Sequence, residues 1–169
     1  MFDKFIPDIF EKTVYDIDFK KYYADGFRGI IFDIDNTLVL HDAECNNQCK
    51  TLIDSLKQIG FNLMVLSNNN LDRTKTFCDT LDIPYIHNAS KPFIKNYLKA
   101  IEMLNINKEQ CLFIGDQLLT DIRGAKEARI TCILVKPLGK EKYFHIKLKR
   151  VLEKIIFFIY NKGKIDGKD

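Results

Sequence analysis

Long apolar runs are missing from this chain of 169 residues. No stretch approaches the roughly 18–20 residues that a membrane-spanning helix needs, so no such helix is expected. The opening MFDKFIPDIF lacks a basic segment followed by an apolar one, which argues against a secretory signal. Cysteines do not form a paired framework: five stand at positions 45, 49, 78, 111 and 132. The number is odd, and Cys111 and Cys132 lie in apolar runs. A disulfide scaffold is thereby disfavoured, and free buried thiols in a reducing compartment are expected. Repeats and low-complexity linkers are also lacking. What is present is the length of one domain, 46% hydrophobic and 29% charged, enough apolar material for a sizeable core.

The formal net charge of +3 is unevenly spread. Residues 140–169 hold nine Lys or Arg against four acids, a charge of about +5, so residues 1–139 carry −2. The organisation expected is a core over 1–139 and a basic tail over 140–169.

Short apolar runs alternate with helical patterns. GIIFDI (29–34), FNLMVLS (61–67), PYI (84–86), CLFIG (111–115) and TCILV (131–135) read as five buried strands. Residues 45–59, 71–81, 92–104 and 120–128 read as helices, with Pro92 suited to a first turn and Gly60 to a helix end. Residues 1–28 read as a leading helical segment. Strand–helix alternation with near-continuous apolar strands implies a three-layer α/β fold, a parallel five-stranded sheet covered by helices on both faces. Polar signatures follow four strands: DIDNT, SNNN, SKP and GDQLLTD. Ligands of open parallel sheets bind at the carboxyl ends of strands. Asp33, Asp35, Ser67, Lys91, Asp116 and Asp121 should therefore converge on one edge.

Two carboxylates at i and i+2 of a strand end point the same way and repel unless a cation compensates them. With Asp116 and Asp121 added, the donor set is all oxygen, which favours Mg²⁺ over zinc. A lysine and a serine beside that ion suit a phosphoryl group, Lys91 neutralising charge and Ser67 donating a hydrogen bond. His41, Cys45 and Cys49 offer only three zinc donors, and the two cysteines fit one helix face, so structural zinc is the weaker reading.

In order and spacing the four signatures resemble those of the haloacid dehalogenase phosphatase superfamily. The fuller texture (DIDNTLV, SNNN, IPYI, KP, GDQLLTDIRGA, ILVKPL and a basic tail) resembles the YqeG-like branch of subfamily IIIA, which includes phosphatidylglycerophosphatases. The resemblance implies a Rossmann-like fold, Mg²⁺ dependence and the following roles. Asp33 is the nucleophile that forms an aspartyl-phosphate. Asp35 is the general acid and then base, and an acid there favours a phosphatase over the related ATPases, which carry threonine. Thr37 braces the loop. Ser67, Asn68 and Lys91 hold the phosphoryl group. Asp33, Asp116 and the Asp35 backbone carbonyl ligate Mg²⁺, and Asp121 acts on a metal-bound water or orients Lys91.

Neither Thr37 to Asn62 nor Ser67 to Lys91 has room for a cap domain, so the site should be capless and open, as suits a large substrate. Phe144, Leu148, Val151, Leu152, Ile155 and Ile159 recur at helical spacing beside Lys147, Lys149, Arg150 and Lys154. That pattern reads as an interfacial helix over 144–160 on an anionic membrane, or as a terminal helix packed on the sheet. The first expectation is a phosphatidylglycerophosphate phosphatase at the cytoplasmic membrane face. The second is a phosphatase of soluble sugar phosphates or nucleotides. The third, least favoured, is a non-catalytic RNA-associated module.

Overall fold

The computed structural model of the protein describes residues 3–140, 147–148, 151–156 and 158. Six strands build one parallel sheet: β1 Ile9–Glu11, β2 Gly29–Phe32, β3 Asn62–Leu66, β4 Tyr85–Ile86, β5 Cys111–Gly115 and β6 Thr131–Val135. Their spatial order is β1-β6-β5-β2-β3-β4. The helices are α1 Phe19–Ala24, α2 Asn47–Ile59, α3 Leu71–Leu81, α4 Lys95–Leu104 and α5 Arg123–Glu127. All five expected strands form, with ends trimmed by up to two residues.

Because every strand runs the same way, all carboxyl ends share one edge. Central β2 pairs Gly29 with both Asn62 of β3 and Cys111 of β5, and all four of its residues are buried. Alternate residues serve opposite faces. Ile30 and Phe32 join Ile53 and Leu56 of α2 and Phe77 of α3 in one apolar cluster. Ile31 joins Met64, Phe113, Tyr97 of α4 and Ala125 of α5 in the other. This double coverage is why the strands read as apolar runs rather than alternating ones.

Asparagines start two helices. Asn46 Oδ1 accepts the Cys49 N–H at 2.9 Å at the head of α2, and Asn70 Oδ1 accepts the Arg73 N–H at 3.0 Å at the head of α3. Gly60 ends α2 at φ +109°, a left-handed conformation that favours glycine.

Three expectations are corrected. The sheet has six strands, not five. The leading segment is not purely helical, since Ile9–Glu11 pairs with Ile133–Val135 as the edge strand beside β6. The helices expected at 92 and 120 begin later. Pro92 follows a cis peptide bond in a turn where the Phe93 N–H reaches Ser90 O at 2.9 Å, and α4 starts at Lys95. Residues Leu118–Ile122 form a wider π-helical turn before α5, with the Ile122 N–H bonded to Gln117 O at 3.2 Å. Between the turn after β2 and β3 lies one helix, α2, and between β3 and Lys91 only α3 and β4, so no cap domain is inserted.

Part of the tail lies outside the described residues, including Phe144, Lys149, Arg150 and Ile159. Residues 147–148, 151–156 and 158 are helical. No described helix is long and apolar enough to cross a membrane.

Candidate active site

The chain leaves β2 at Phe32 and turns sharply. The Leu38 N–H donates to Ile34 O at 2.9 Å, and Asn36, at φ +62°, donates its N–H to Val39 O at 2.7 Å. Asp33 and Asp35 sit on this turn and find different partners.

Asp33 Oδ1 accepts from Lys91 Nζ at 2.7 Å, and Lys91 Nζ also lies 2.7 Å from Asp121 Oδ1. All three side chains are buried, Lys91 3% and Asp121 1% exposed. Burial raises the Asp33 pKa and the Asp121 carboxylate adds to this, so Asp33 stays above the ordinary carboxylate value despite Lys91. Burial alone would lower the Lys91 ammonium, but Asp121 and Asp33 outweigh it and hold Lys91 protonated.

Asp35 accepts three hydrogen bonds: from Asn69 Nδ2 at 2.6 Å, Arg73 Nη2 at 3.0 Å and the Asp42 N–H at 3.0 Å. Burial pushes its pKa up, but Asn69, Arg73 and Asp42 together hold it below the ordinary value.

The three asparagines after Ser67 do separate jobs. Asn68 clamps the lysine loop, its Oδ1 accepting the Lys91 N–H at 2.7 Å and its Nδ2 donating to Lys91 O at 3.3 Å. Asn69 binds Asp35, and Asn70 caps α3. The Ser67 hydroxyl, buried at the end of β3, accepts the Asn69 N–H at 3.1 Å. Asn68, expected at the phosphoryl group, thus has its amide on the backbone of the residue that carries the ammonium.

Asp116 and Asp121 follow β5. Their approach requires glycine at 115, where a Cβ would stand 2.5 Å from Asp121 Oδ2. Asp121 Oδ2 accepts the Gln117 N–H at 3.0 Å, closing the wide turn on itself. Thr37 Oγ1 lies 3.4 Å from Asp116 Oδ1, a long contact linking the turn after β2 to the loop after β5. Tyr97, fully buried on α4, donates its hydroxyl to Thr120 O at 2.9 Å and lies near Asp121 O at 3.3 Å. From the tail, Glu153 Oε1 accepts the Leu118 N–H at 2.7 Å and lies 3.4 Å from the Leu119 nitrogen.

The eight expected residues thus lie together at the carboxyl ends of β2, β3, β4 and β5. Sequence reasoning missed Asn69, Arg73, Gly115, Tyr97 and Glu153. Two carried a signal, Asn69 as part of SNNN and Gly115 as the glycine of GDQLLTD at a strand end.

Asp33, Asp116 and Asp121 bring one oxygen each within 4.8 Å of one another. When all three are ionised, Lys91 balances one charge and leaves two. Burial above all, with the Asp121 carboxylate adding to it, raises the Asp33 pKa, so the ionised cluster is unfavourable as it stands. A divalent, oxygen-preferring cation offsets the charge that remains, so these residues fit Mg²⁺. Asp35 contributes no side-chain oxygen to this cluster. His41 instead pairs with Asp42 at 3.7 Å, and Cys49 is buried in the apolar cluster under α2.

A family model described as haloacid dehalogenase-like hydrolase matches residues 46–129. "Probable phosphatase YqeG" of Bacillus subtilis (strain 168) is 36% identical over 169 residues, covering 98% of this chain and 97% of that protein. Among solved structures, an uncharacterized protein of Listeria monocytogenes serotype 4b superposes at TM-score 0.56 with 20% identity, over 69% of this chain and 85% of that one. YfnB of Bacillus subtilis, bound to magnesium, gives TM-score 0.53 at 14% identity, over 70% and 91%. These two establish likeness of fold.

Proposed function

The chain belongs to the haloacid dehalogenase-like hydrolases and is a phosphatase of that family, and from this premise we propose that it hydrolyses phosphatidylglycerophosphate, with Mg²⁺, at an anionic membrane surface. The proposal places it in subfamily IIIA, with the phosphatidylglycerophosphatases.

Asp33 Oδ attacks the phosphorus of the monoester. The P–O bond to the leaving group breaks, and an aspartyl-phosphate forms. Asp35, protonated, gives its proton to the departing alkoxide. Then, ionised, it takes a proton from the water that attacks the phosphoryl group, releasing phosphate and freeing Asp33. The resting hydrogen bonds to Asn69, Arg73 and Asp42 favour the ionised form. An arriving phosphate dianion competes for Arg73 and Asn69, and loosening those bonds makes Asp35 easier to protonate. Lys91, fixed by Asp33 and Asp121 and clamped at its backbone by Asn68, stands ready for phosphoryl charge, with the Ser67 hydroxyl beside it. When bound, Mg²⁺ held by Asp33, Asp116 and the Asp35 carbonyl, with Asp121 alongside, supplies further positive charge to the phosphoryl oxygens.

The observation that carries the lipid reading is the tail helix. Leu148, Val151, Leu152 and Ile155 are 46–54% exposed and Phe158 69%, while the acid Glu153 is 6% exposed and faces the domain. A helix packed only for stability would bury its apolar residues and expose its acid. Ile156 does pack on the domain's apolar cluster, but those five other apolar side chains turn outward while the acid turns in, which suits an apolar face meeting lipid, flanked by Lys147 and Lys154. Glu153 fastens that helix to the loop between Asp116 and Asp121, so a helix lying on the membrane would set the open site near it. No cap stands in the way of a large headgroup.

The test is flotation with vesicles of phosphatidylglycerol and phosphatidylcholine. Wild type should float with the anionic vesicles and be released by salt. Leu152→Ser with Ile155→Ser should stay at the bottom with an unchanged thermal melt, because both side chains are exposed. Equal flotation of wild type and variant would remove the membrane-helix reading.

A further inference from the structure

A cavity of about 710 Å³ opens beside Asp116, on the flank of the catalytic edge. Its floor is the carboxyl end of the two outer strands, with Phe10, Glu11 and Lys12 from β1 and its continuation, and Leu134, Val135 and Lys136 from β6 and its continuation. Pro137 extends the floor, and Glu153 and Lys154 of the tail helix form the opposite wall. All strands are parallel, so this floor prolongs the edge on which Asp33 and Asp116 stand. The size lies within the ~300–1,000 Å³ of small-molecule sites.

The lining has two characters. Phe10, 57% exposed on an edge strand, and its register partner Leu134 present apolar surface to the cavity together with Pro137. Beside them, the register Glu11↔Val135 continues to Lys12 and Lys136, whose backbones are joined by the Lys136 N–H to Lys12 O bond at 3.3 Å. Two ammonium groups side by side on paired strands repel. Neither has an ion-pair partner among the described residues. Of the acids in the lining, Asp116 belongs to the metal cluster and Glu153 is bonded to the Leu118 N–H. The lining as a whole balances, Lys12, Lys136 and Lys154 against Glu11, Asp116 and Glu153, but with the last two engaged elsewhere the paired Lys12 and Lys136 ammonium groups stand together at the mouth of an apolar cavity.

We propose that this cavity is the leaving-group subsite, and that it takes an amphiphile bearing a second anion: a phosphodiester at Lys12 and Lys136, with the first carbons of its acyl chains against Phe10, Leu134 and Pro137. The inference rests on the phosphatidylglycerophosphate reading for the identity of the monoester, but the subsite itself is defined by its lining. It gives the unforeseen strand β1 a role, since β1 supplies both the aromatic surface and one of the paired lysines. A phosphate bound over Asp33 would leave the rest of the molecule to run along the strand ends into this cavity.

The test is calorimetric binding of dihexanoyl phosphatidylglycerol, below its micelle concentration, to the whole chain. Wild type should bind it. Lys12→Gln with Lys136→Gln, and separately Phe10→Ser, should each weaken binding at least tenfold while inorganic phosphate binds as before. All three side chains are exposed, so thermal melts should not move. Absence of binding to wild type, or equal binding to the variants, overturns the subsite. Hydrolysis of dihexanoyl phosphatidylglycerophosphate by wild type is scored separately. If the short-chain lipid binds through Lys12, Lys136 and Phe10 but the monoester is not cleaved, the substrate reading fails and the subsite stands. If it is cleaved, the lysine pair should raise KM at least tenfold at unchanged kcat, with 4-nitrophenyl phosphate unaffected.

Discussion

Replacing Lys91 with methionine keeps most of the apolar stem and deletes the one ammonium that contacts Asp33 and Asp121. Both contacts are 2.7 Å, and the three side chains are at most 10% exposed. Breaking a buried pair by removing one partner typically costs about 3–5 kcal/mol, because the remaining charge is left uncompensated. For a chain of this size each kcal/mol moves Tm by about 2–4 °C, so Lys91→Met without metal should melt roughly 6–20 °C below wild type. The loss should depend on pH. Lys91 lowers the Asp33 pKa, so without it the folded pKa of that carboxyl stands further above its unfolded one. Between those values the folded state holds more protons than the unfolded state, so stability falls as pH rises. Asp33 already has this sign in the wild type. The variant should therefore be closest to wild type near pH 5 and furthest from it near pH 8. Mg²⁺ should restore part of the deficit by binding the folded carboxylates. Asp121→Asn on the same background should restore part of it without metal, because one charge is gone. Circular-dichroism melts in EDTA and in Mg²⁺ at several pH values measure all of this. A Lys91→Met protein as stable as wild type in EDTA at pH 8 would refute the electrostatic account of the site.

Gly115→Ala should cost about 1–3 kcal/mol by overpacking and lower turnover as well, since the new Cβ would stand 2.5 Å from Asp121 Oδ2; melts and phosphatase assays check both. Arg73→Gln removes a cation from Asp35 and so raises its pKa. The alkaline limb of kcat/KM, where the protonated acid is lost, should move to higher pH, and a full pH–rate profile reads the shift. Asp116→Ala should raise the Mg²⁺ concentration needed for half-maximal activity, and it should raise metal-free thermal stability by relieving carboxylate repulsion. A Mg²⁺ titration and an EDTA melt test these together.

The four inner strands, β6, β5, β2 and β3, were legible because they are covered on both faces and read as nearly unbroken apolar runs, and the short edge strand β4 was legible from the apolar PYI. β1 was not, since three residues carry no periodicity and Ile9–Glu11 becomes a strand only by pairing with β6, more than 120 positions away. The last three residues of the wide turn, 120–122, were read as the start of an ordinary helix; the turn is closed by the Asp121 carboxylate on the Gln117 N–H, which no local propensity reports. At the site, the motifs marked where each carboxylate and Lys91 stand, as strand ends dictate. They did not reveal that Asp35 rests on Arg73 and Asn69, or that Asn68 holds the Lys91 backbone. Those are choices among polar side chains a few ångströms apart, and spacing does not decide them. The tail's amphipathic pattern was legible, but which of its residues face the domain was not, since spacing does not reveal that Glu153 and Ile156 turn inward.

The proposed function depends on Asp33 taking the phosphoryl group from phosphatidylglycerophosphate. Purified protein with Mg²⁺ and vesicles carrying the lipid, radiolabelled in its terminal phosphate, would be quenched in acid within the first turnover, digested and mapped. Label on the peptide containing Asp33, released as inorganic phosphate on longer incubation and lost in Asp33→Asn with an unchanged melt, is the predicted result. Absence of phosphate release from that lipid, or release by the Asp33→Asn protein at the wild-type rate, would contradict it.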